Sequence, residues 1–306
     1  MKIFTLKLII FGLINLLPFL VLEISSRGFS NYSNPNSEAN LFVIPKNVKY
    51  DLVILGTSHA REFSNGDNHQ VVQAMLGKSF LNLSKSLAGV LPQKFYLSYF
   101  FKEKNKTEKI LYFIDPFVLY SIDANEERLF NDEPFRMDVL WGLAENGFSK
   151  TVIYNYLKSN ISRLKINPLA WLPFEPNLGT KNKYRAGGDF KPIDVKLLDQ
   201  TVGNYYNGLD EQEFSKSALR LKNIIELAEQ HQARMVFVIP PTQWRIDPGK
   251  EDAKKLMFDL KEKHQVEFHD LSESVKNPKF YKDSDHLNKD GVVYFTERFL
   301  KPILNK

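Results

Sequence analysis

Short apolar runs alternate with segments of helical periodicity along most of the chain, but the N-terminus breaks that pattern. From Ile3 to Leu22 the sequence IFTLKLIIFGLINLLPFLVL is apolar almost throughout, with Lys2 and Lys7 at its front and no charge from Leu8 to Leu22. At about 1.5 Å per residue, roughly 20 residues just span a bilayer if Lys7 snorkels to the surface. No small-residue cleavage site follows, because the chain continues as LEISSRGFS; an uncleaved anchor is favoured over a cleaved signal. The lysines precede the apolar run, which places the bulk of the chain outside the cytoplasm, on the periplasmic side of a cell membrane. Arg27 to Asn40 (RGFSNYSNPNSEAN) is polar and reads as a linker. The expected organisation is an anchor or signal segment over 1–26, a linker over 27–46 and a folded domain over 47–306.

Within that domain the apolar runs Asp51–Leu55, Ser79–Leu83, Lys109–Ile114, Arg234–Ile239 and Val266–His269 read as strands. Helical periodicity marks Val71–Leu76, Gln93–Lys104, Phe214–Gln230, Ala253–His264 and Lys289–Leu300. Strands alternating with helices predict an α/β fold, a three-layer sandwich whose central parallel sheet is covered on both faces. From about Ser121 to Glu213 the rhythm stops. That stretch holds one helical segment near Thr151–Leu164, the Pro-containing run INPLAWLPFEPNLG and the loop KYRAGGDFKP, and it reads as an insertion between the third and fourth strands. It is expected either to border a ligand site at the strand ends or only to pack on the core.

Composition narrows the chemistry. The chain of 306 residues has no cysteine, which removes disulfides, thiolate metal sites and thiol nucleophiles. The formal charge of +5 comes from 41 basic and 36 acidic residues mixed along the chain, with no basic stripe interleaved with aromatics; nucleic acid is not an expected partner. No spacing resembles a metal site and no Gly-rich loop would cradle a nucleotide, so no cofactor is expected. His69, His231, His264 and His269 are scattered and receive no role.

Two short blocks carry candidate chemistry. GTSHA, Gly56–Ala60, follows the first strand, so Ser58 stands on the turn at the edge of the sheet. If a helix starts there, its free N–H groups favour a nearby oxyanion. The competing reading of Ser58 is a helix cap, although a capping box would want Glu or Gln where the chain has Arg61. At the other end, YKDSDHLNKDGVVYF holds Asp283 and His286 just before the last helix. One turn can present both to a common cleft, where a carboxylate fixes the imidazole tautomer and stabilises the imidazolium. Asp285 is a rival for the carboxylate role. His59 adjoins Ser58, but side chains of neighbouring residues usually diverge.

Together, these blocks resemble the SGNH/GDSL hydrolase superfamily, in which a Gly-x-Ser block follows the first strand and an Asp-x-x-His block precedes the last helix. The resemblance spans roughly Asn47 to Leu304 apart from the insertion. It implies Ser58 as nucleophile, His286 as base and Asp283 as orienting acid. It also implies oxyanion donors after the second and third strands. There the chain offers Gly89, with Ser84 or Ser86 nearby, and Asp115 in place of an Asn; Asp115-Pro116 reads instead as a plain helix cap. Asn82, Ser84 or the His59 backbone are the other candidates to complete the hole. Thr242 and Arg245, beyond the fourth strand, are expected to border the cleft. Anchored relatives with such blocks look like the alginate O-acetyltransferases and the D-alanyl transfer protein of teichoic acid synthesis. The resemblance thus implies O-acyl chemistry on an envelope or exported polysaccharide, with a multi-spanning membrane acyltransferase as partner. Lipase or thioesterase action, or an inactive scaffold, are the alternatives.

Overall fold

The computed structural model describes residues 2–27, 44–122, 124, 129–131, 133, 135–166, 209–243 and 249–306. The chain divides into two compact units, one of Met1–Val43 with Glu126–Leu178 and one of Ile44–Asn125 with Gly179–Lys306. Most of the segment read as an insertion lies outside the described residues.

The larger unit is built on β1 (Lys49–Leu55), β2 (Phe80–Asn82), β3 (Lys106–Phe113), β4 (Arg234–Ile239) and β5 (Glu267–Asp270), all parallel, in the order β2-β1-β3-β4-β5. This is the doubly wound order of flavodoxin-like sheets, and its switch point, where successive connections leave in opposite directions, lies between β1 and β3. The α/β sandwich read from the sequence is therefore present, with each expected strand found. β3 begins earlier than expected, at Lys106, because Lys106 and Thr107 pair with Lys49 and Tyr50 of β1; the buried Lys109 donates its ammonium to the Leu304 carbonyl at 2.7 Å and so ties the C-terminal helix to the sheet.

Side chains alternate across the central strands. Leu52, Ile54, Leu111, Phe113, Val236 and Val238 share one core with Phe63, Val72, Leu76, Val292, Phe295, Leu300 and Ile303. Phe63 comes from the 3-10 turn Glu62–Ser64 that follows the short α2 (Ser58–Arg61), Val72 and Leu76 from α3 (Asn68–Leu76), and Val292, Phe295, Leu300 and Ile303 from the C-terminal helices. On the other side α4 (Val90–Lys102) packs against the helix Glu211–Gln230, which is capped by Asp210 accepting from the N–H groups of Gln212 and Glu213. Burying rings such as Phe95, Tyr96 and Phe100 stabilises by roughly 2–3 kcal/mol each. The C-terminal helix expected over Lys289–Leu300 is interrupted: Lys289–Phe295 is α-helical, Thr296–Leu300 widens to a π turn and Lys301–Leu304 resumes. Pro302 lacks the N–H that would reach back one turn, and the wide turn precedes it.

In the smaller unit α1 (Lys2–Arg27) holds an apolar stretch, Phe4–Val21, with mean hydropathy 2.2 and none of it buried, long enough to cross a membrane. Its one amide there, Asn15, donates to the Phe11 carbonyl at 2.7 Å. Two of the described helices between β3 and β4, α5 (Met137–Glu145) and α6 (Lys150–Ile166), belong to the same unit. Their buried Tyr156 accepts the Arg136 N–H through its hydroxyl at 2.9 Å.

Candidate active site

The turn after β1 is shaped by a residue without a side chain. Gly56 has φ +139°, and a Cβ there would lie 2.9 Å from the Phe113 carbonyl oxygen and 2.8 Å from the Ala60 Cβ. Its backbone is clamped on both sides by buried Gln93, which accepts from the Gly56 N–H at 3.2 Å and donates to the Gly56 carbonyl at 2.8 Å. The chain can therefore turn tightly off the strand and start α2 at Ser58. Thr57, not Ser58, holds the N-cap position, and no side chain caps this helix. The Ser58 hydroxyl is thus free of capping duty and points at His286, with Oγ 2.7 Å from Nε2. In the first turn of α2 the N–H groups of Ser58 and His59 have no acceptor within the helix.

His286 comes from a loop locked on itself. Tyr281 and Leu287 form an antiparallel bridge, the Lys282 N–H donates to the His286 carbonyl at 3.0 Å, and the N–H groups of Asp285 and His286 both donate to Asp283 Oδ1. Asn288 fastens the far side: its amide donates to the carbonyls of Lys279 and Tyr281, and its oxygen caps the final helix through Gly291. Gly291 leaves no room for a Cβ, which would lie 2.0 Å from the Phe280 carbonyl oxygen. The loop is also tied to its surroundings by the Gln243 N–H to Ser284 carbonyl bond of 3.0 Å and the Lys282–Glu62 ion pair of 2.7 Å.

His286 Nδ1 lies 2.9 Å from Asp283 Oδ1 and 3.0 Å from Asp285 Oδ1, so the two rival carboxylates both face the same nitrogen. Burial acts against the charged imidazole, but the bonds to Asp283 and Asp285 and their charges outweigh it and push His286 up to about 10. For Asp283 burial acts in the opposite sense, and its bond to His286 holds the carboxyl well below the usual carboxylate range.

His59 does not diverge from this cluster as neighbouring side chains usually do. It turns inward, where it is buried with its ring stacked on that of His286, centroids 4.8 Å apart and planes at 20°. Its Nδ1 is 2.7 Å from Asp115 Oδ1, an ion-pair distance that is off the line of a straight hydrogen bond, and its Nε2 is 3.9 Å from Asp285 Oδ2. The other Asp115 oxygen takes a short hydrogen bond from the Thr57 hydroxyl. Burial opposes charge on His59, and the neighbouring Asp115 carboxylate more than offsets that, raising its pKa above the ordinary 6.5.

Asp115 precedes a 3-10 turn with Pro116 at its start, as its sequence suggests, but its carboxylate makes no cap bond; it turns back to His59 and Thr57. The expected oxyanion donors are spent elsewhere. Gly89 donates its N–H to the Ala124 carbonyl at 2.7 Å. Asn82 donates to the Ala60 carbonyl and the Ser64 hydroxyl, and accepts from the Ser84 N–H and hydroxyl. Gly89, Asn82 and Ser84 therefore hold the β2 end in shape and offer no donor to a ligand. Thr242 joins His59, Asp115, Pro116, Phe117, Ile239 and Pro240 around one concavity. Arg245 lies outside the described residues. One potential metal-ligand set exists among the described residues, His59, Asp285 and His286, with ligand atoms within 4.8 Å of one another. Both His286 nitrogens are already engaged by Ser58 and the carboxylates.

The arrangement lets His286 take the Ser58 proton while Asp283 and Asp285 stabilise the imidazolium, and it leaves two first-turn N–H groups beside the nucleophile. No protein-family model matches the chain, and no curated protein matches it. Among solved structures it is similar to a candidate acylhydrolase from Bacteroides fragilis, at 11% identity and TM-score 0.42, over 90% of this chain and 97% of the other. It is also similar to a GDSL-like lipase from Bacteroides thetaiotaomicron, at 10% identity and TM-score 0.40, over 90% and 98%.

Proposed function

We propose that this chain is a serine-dependent esterase or acyltransferase of the SGNH type, anchored by α1 and working outside the cytoplasm on O-acyl groups of an envelope or exported polysaccharide. The observation that carries the chemistry is the continuous relay from Ser58 Oγ through His286 Nε2 and Nδ1 to Asp283 Oδ1, with steps of 2.7 and 2.9 Å. Serine attack needs a base at hydrogen-bonding distance and a third group that orients it, and these three residues supply both.

In the forward step neutral His286 accepts the Ser58 proton as Oγ bonds to the ester carbonyl carbon. The oxyanion is met by the N–H groups of Ser58 and His59 in the first turn of α2. When the C–O bond to the leaving alcohol breaks, the imidazolium returns its proton to that oxygen and the acyl group stays on Ser58. Water or a sugar hydroxyl then attacks the acyl-enzyme, gives its proton to His286 and restores Ser58. An extracytoplasmic site agrees with the lysines ahead of the apolar stretch in α1. A multi-spanning acyltransferase would supply the acyl group if a sugar is the acceptor.

Fluorophosphonate labelling of the full chain in detergent tests the serine reading. Wild type is expected to label, with the rate rising towards alkaline pH as His286 loses its proton, and Ser58→Ala and His286→Ala are expected not to. Folded wild type that stays unlabelled throughout would remove the reading. Chain-length preference on model esters tests the substrate class, since faster cleavage of long acyl chains than of acetyl would favour a lipase.

A further inference from the structure

Serine chemistry of the kind proposed above needs one imidazole, yet this site packs two face to face. His59 is buried at 6% exposure, and neither of its ring nitrogens makes a hydrogen bond. Such a group costs stability unless charge or function retains it. Its surroundings favour a charge. Asp115 stands 2.7 Å from Nδ1 and is itself held by Thr57, while Asp285 stands 3.9 Å from Nε2. The His59 ring thus lies between two carboxylates with its face on His286.

His286 has the opposite problem. A base oriented by one carboxylate can still release its proton, but both Asp283 and Asp285 reach Nδ1. Two anions at one nitrogen hold the imidazolium and remove the base that Ser58 needs. A positive charge stacked at 4.8 Å repels a proton on that ring.

We propose that the His59–Asp115 pair is a positioning dyad for the serine chemistry: Asp115 holds His59 as an imidazolium flat against His286, where it fixes the plane of the catalytic ring and opposes the proton that Asp283 and Asp285 retain there. The proposal rests on the serine reading of the previous section. His59 acts through His286, not on the reacting atoms. Among the described residues, the titratable groups facing the two rings are Asp115, just beyond β3, and Asp283 and Asp285 from the C-terminal loop.

The test is the pH profile of Ser58 labelling by a fluorophosphonate, on the full chain in detergent, for wild type, His59→Phe, His59→Gln and Asp115→Asn. Phe keeps a ring against His286 without charge, Gln keeps neither, and Asn removes the counter-charge that protonates His59. In all three the midpoint of the rising limb is expected to move to higher pH by about one unit. At a fixed pH below the midpoint the rate then falls about tenfold, and raising the pH restores it. His59→Phe is expected to recover more fully than His59→Gln because a ring still supports the plane of His286. An unchanged midpoint in the folded variants, with rates lowered equally at every pH, would overturn the proposal, and so would a midpoint moved to lower pH. Wild type that never labels would remove the serine reading and this inference together, whereas labelled wild type with an unshifted midpoint removes this inference alone.

Discussion

Gly56 and His286 show how much single positions carry. At φ +139°, with a Cβ bound to fall 2.9 Å from the Phe113 carbonyl oxygen, Gly56 has no room for a methyl group. Gly56→Ala is expected to cost about 1–3 kcal/mol and to displace Ser58, so both the melting temperature and the Ser58 labelling rate should fall. An unchanged melting temperature would show that the turn adapts. Leu87, at φ +58° and 57% exposed, is in the reverse situation, with a branched side chain in a conformation that favours glycine. Leu87→Gly should therefore leave stability unchanged or slightly raised in a thermal melt, and a clear loss would show that the leucine side chain contributes packing. For His286 the folded pKa is raised, to about 10 from 6.5, so its contribution to stability is complete below about pH 6.5 and is lost as pH climbs to about 10. The melting-temperature gap between wild type and His286→Ala should narrow across that window, and a constant gap would mean that the charged pair adds nothing to folding.

The loop and helix that end the domain act as one device. Asn288 joins them, since its oxygen caps the helix at Gly291 and its amide ties back to Lys279 and Tyr281. Asn288→Ala removes both functions and is expected to lower stability by about 1–2 kcal/mol. Asn288→Asp keeps the cap acceptor and loses only the donors, so it should melt closer to wild type yet still label slowly at Ser58. Equal melting of the two variants would assign the stability to the loop bonds rather than the cap. At this scale the sequence was readable where period and chemistry coincide. The strand after β4 and the Asp-x-x-His turn were visible because apolar runs and capping residues are local signals. The partners of Asp115 were not, because a carboxylate before a proline looks like a cap from its neighbours alone. Its true contacts, Thr57 and His59, lie 58 and 56 positions earlier. The inward turn of His59 was hidden too, because the ring it stacks on, His286, lies 227 positions later. The spent N–H of Gly89 was equally hidden, since its acceptor Ala124 lies beyond β3.

Across the whole molecule the sheet order gathers chemistry at one place. Ser58 leaves β1 and Asp115 leaves β3, the two strands that flank the switch point. Alternating runs made the parallel sheet legible, but strand order was a matter of tertiary pairing. The apolar length of α1 leads to a further expectation: the full chain should stay with the membrane pellet after alkaline carbonate washing, and a freely soluble chain would contradict an anchor. Because the chain has no cysteine, a single one placed at Lys306 can report sidedness to an impermeant maleimide. Finally, Ser58 and His286 are 228 residues apart, and the last helix is fastened to the sheet through Lys109 and the Leu304 carbonyl. On the proposed serine reading, the serine emerges first as an ordinary alcohol, and its partner follows 228 residues later. On that reading synthesis order is a timer, which keeps the hydroxyl inert until the two residues meet.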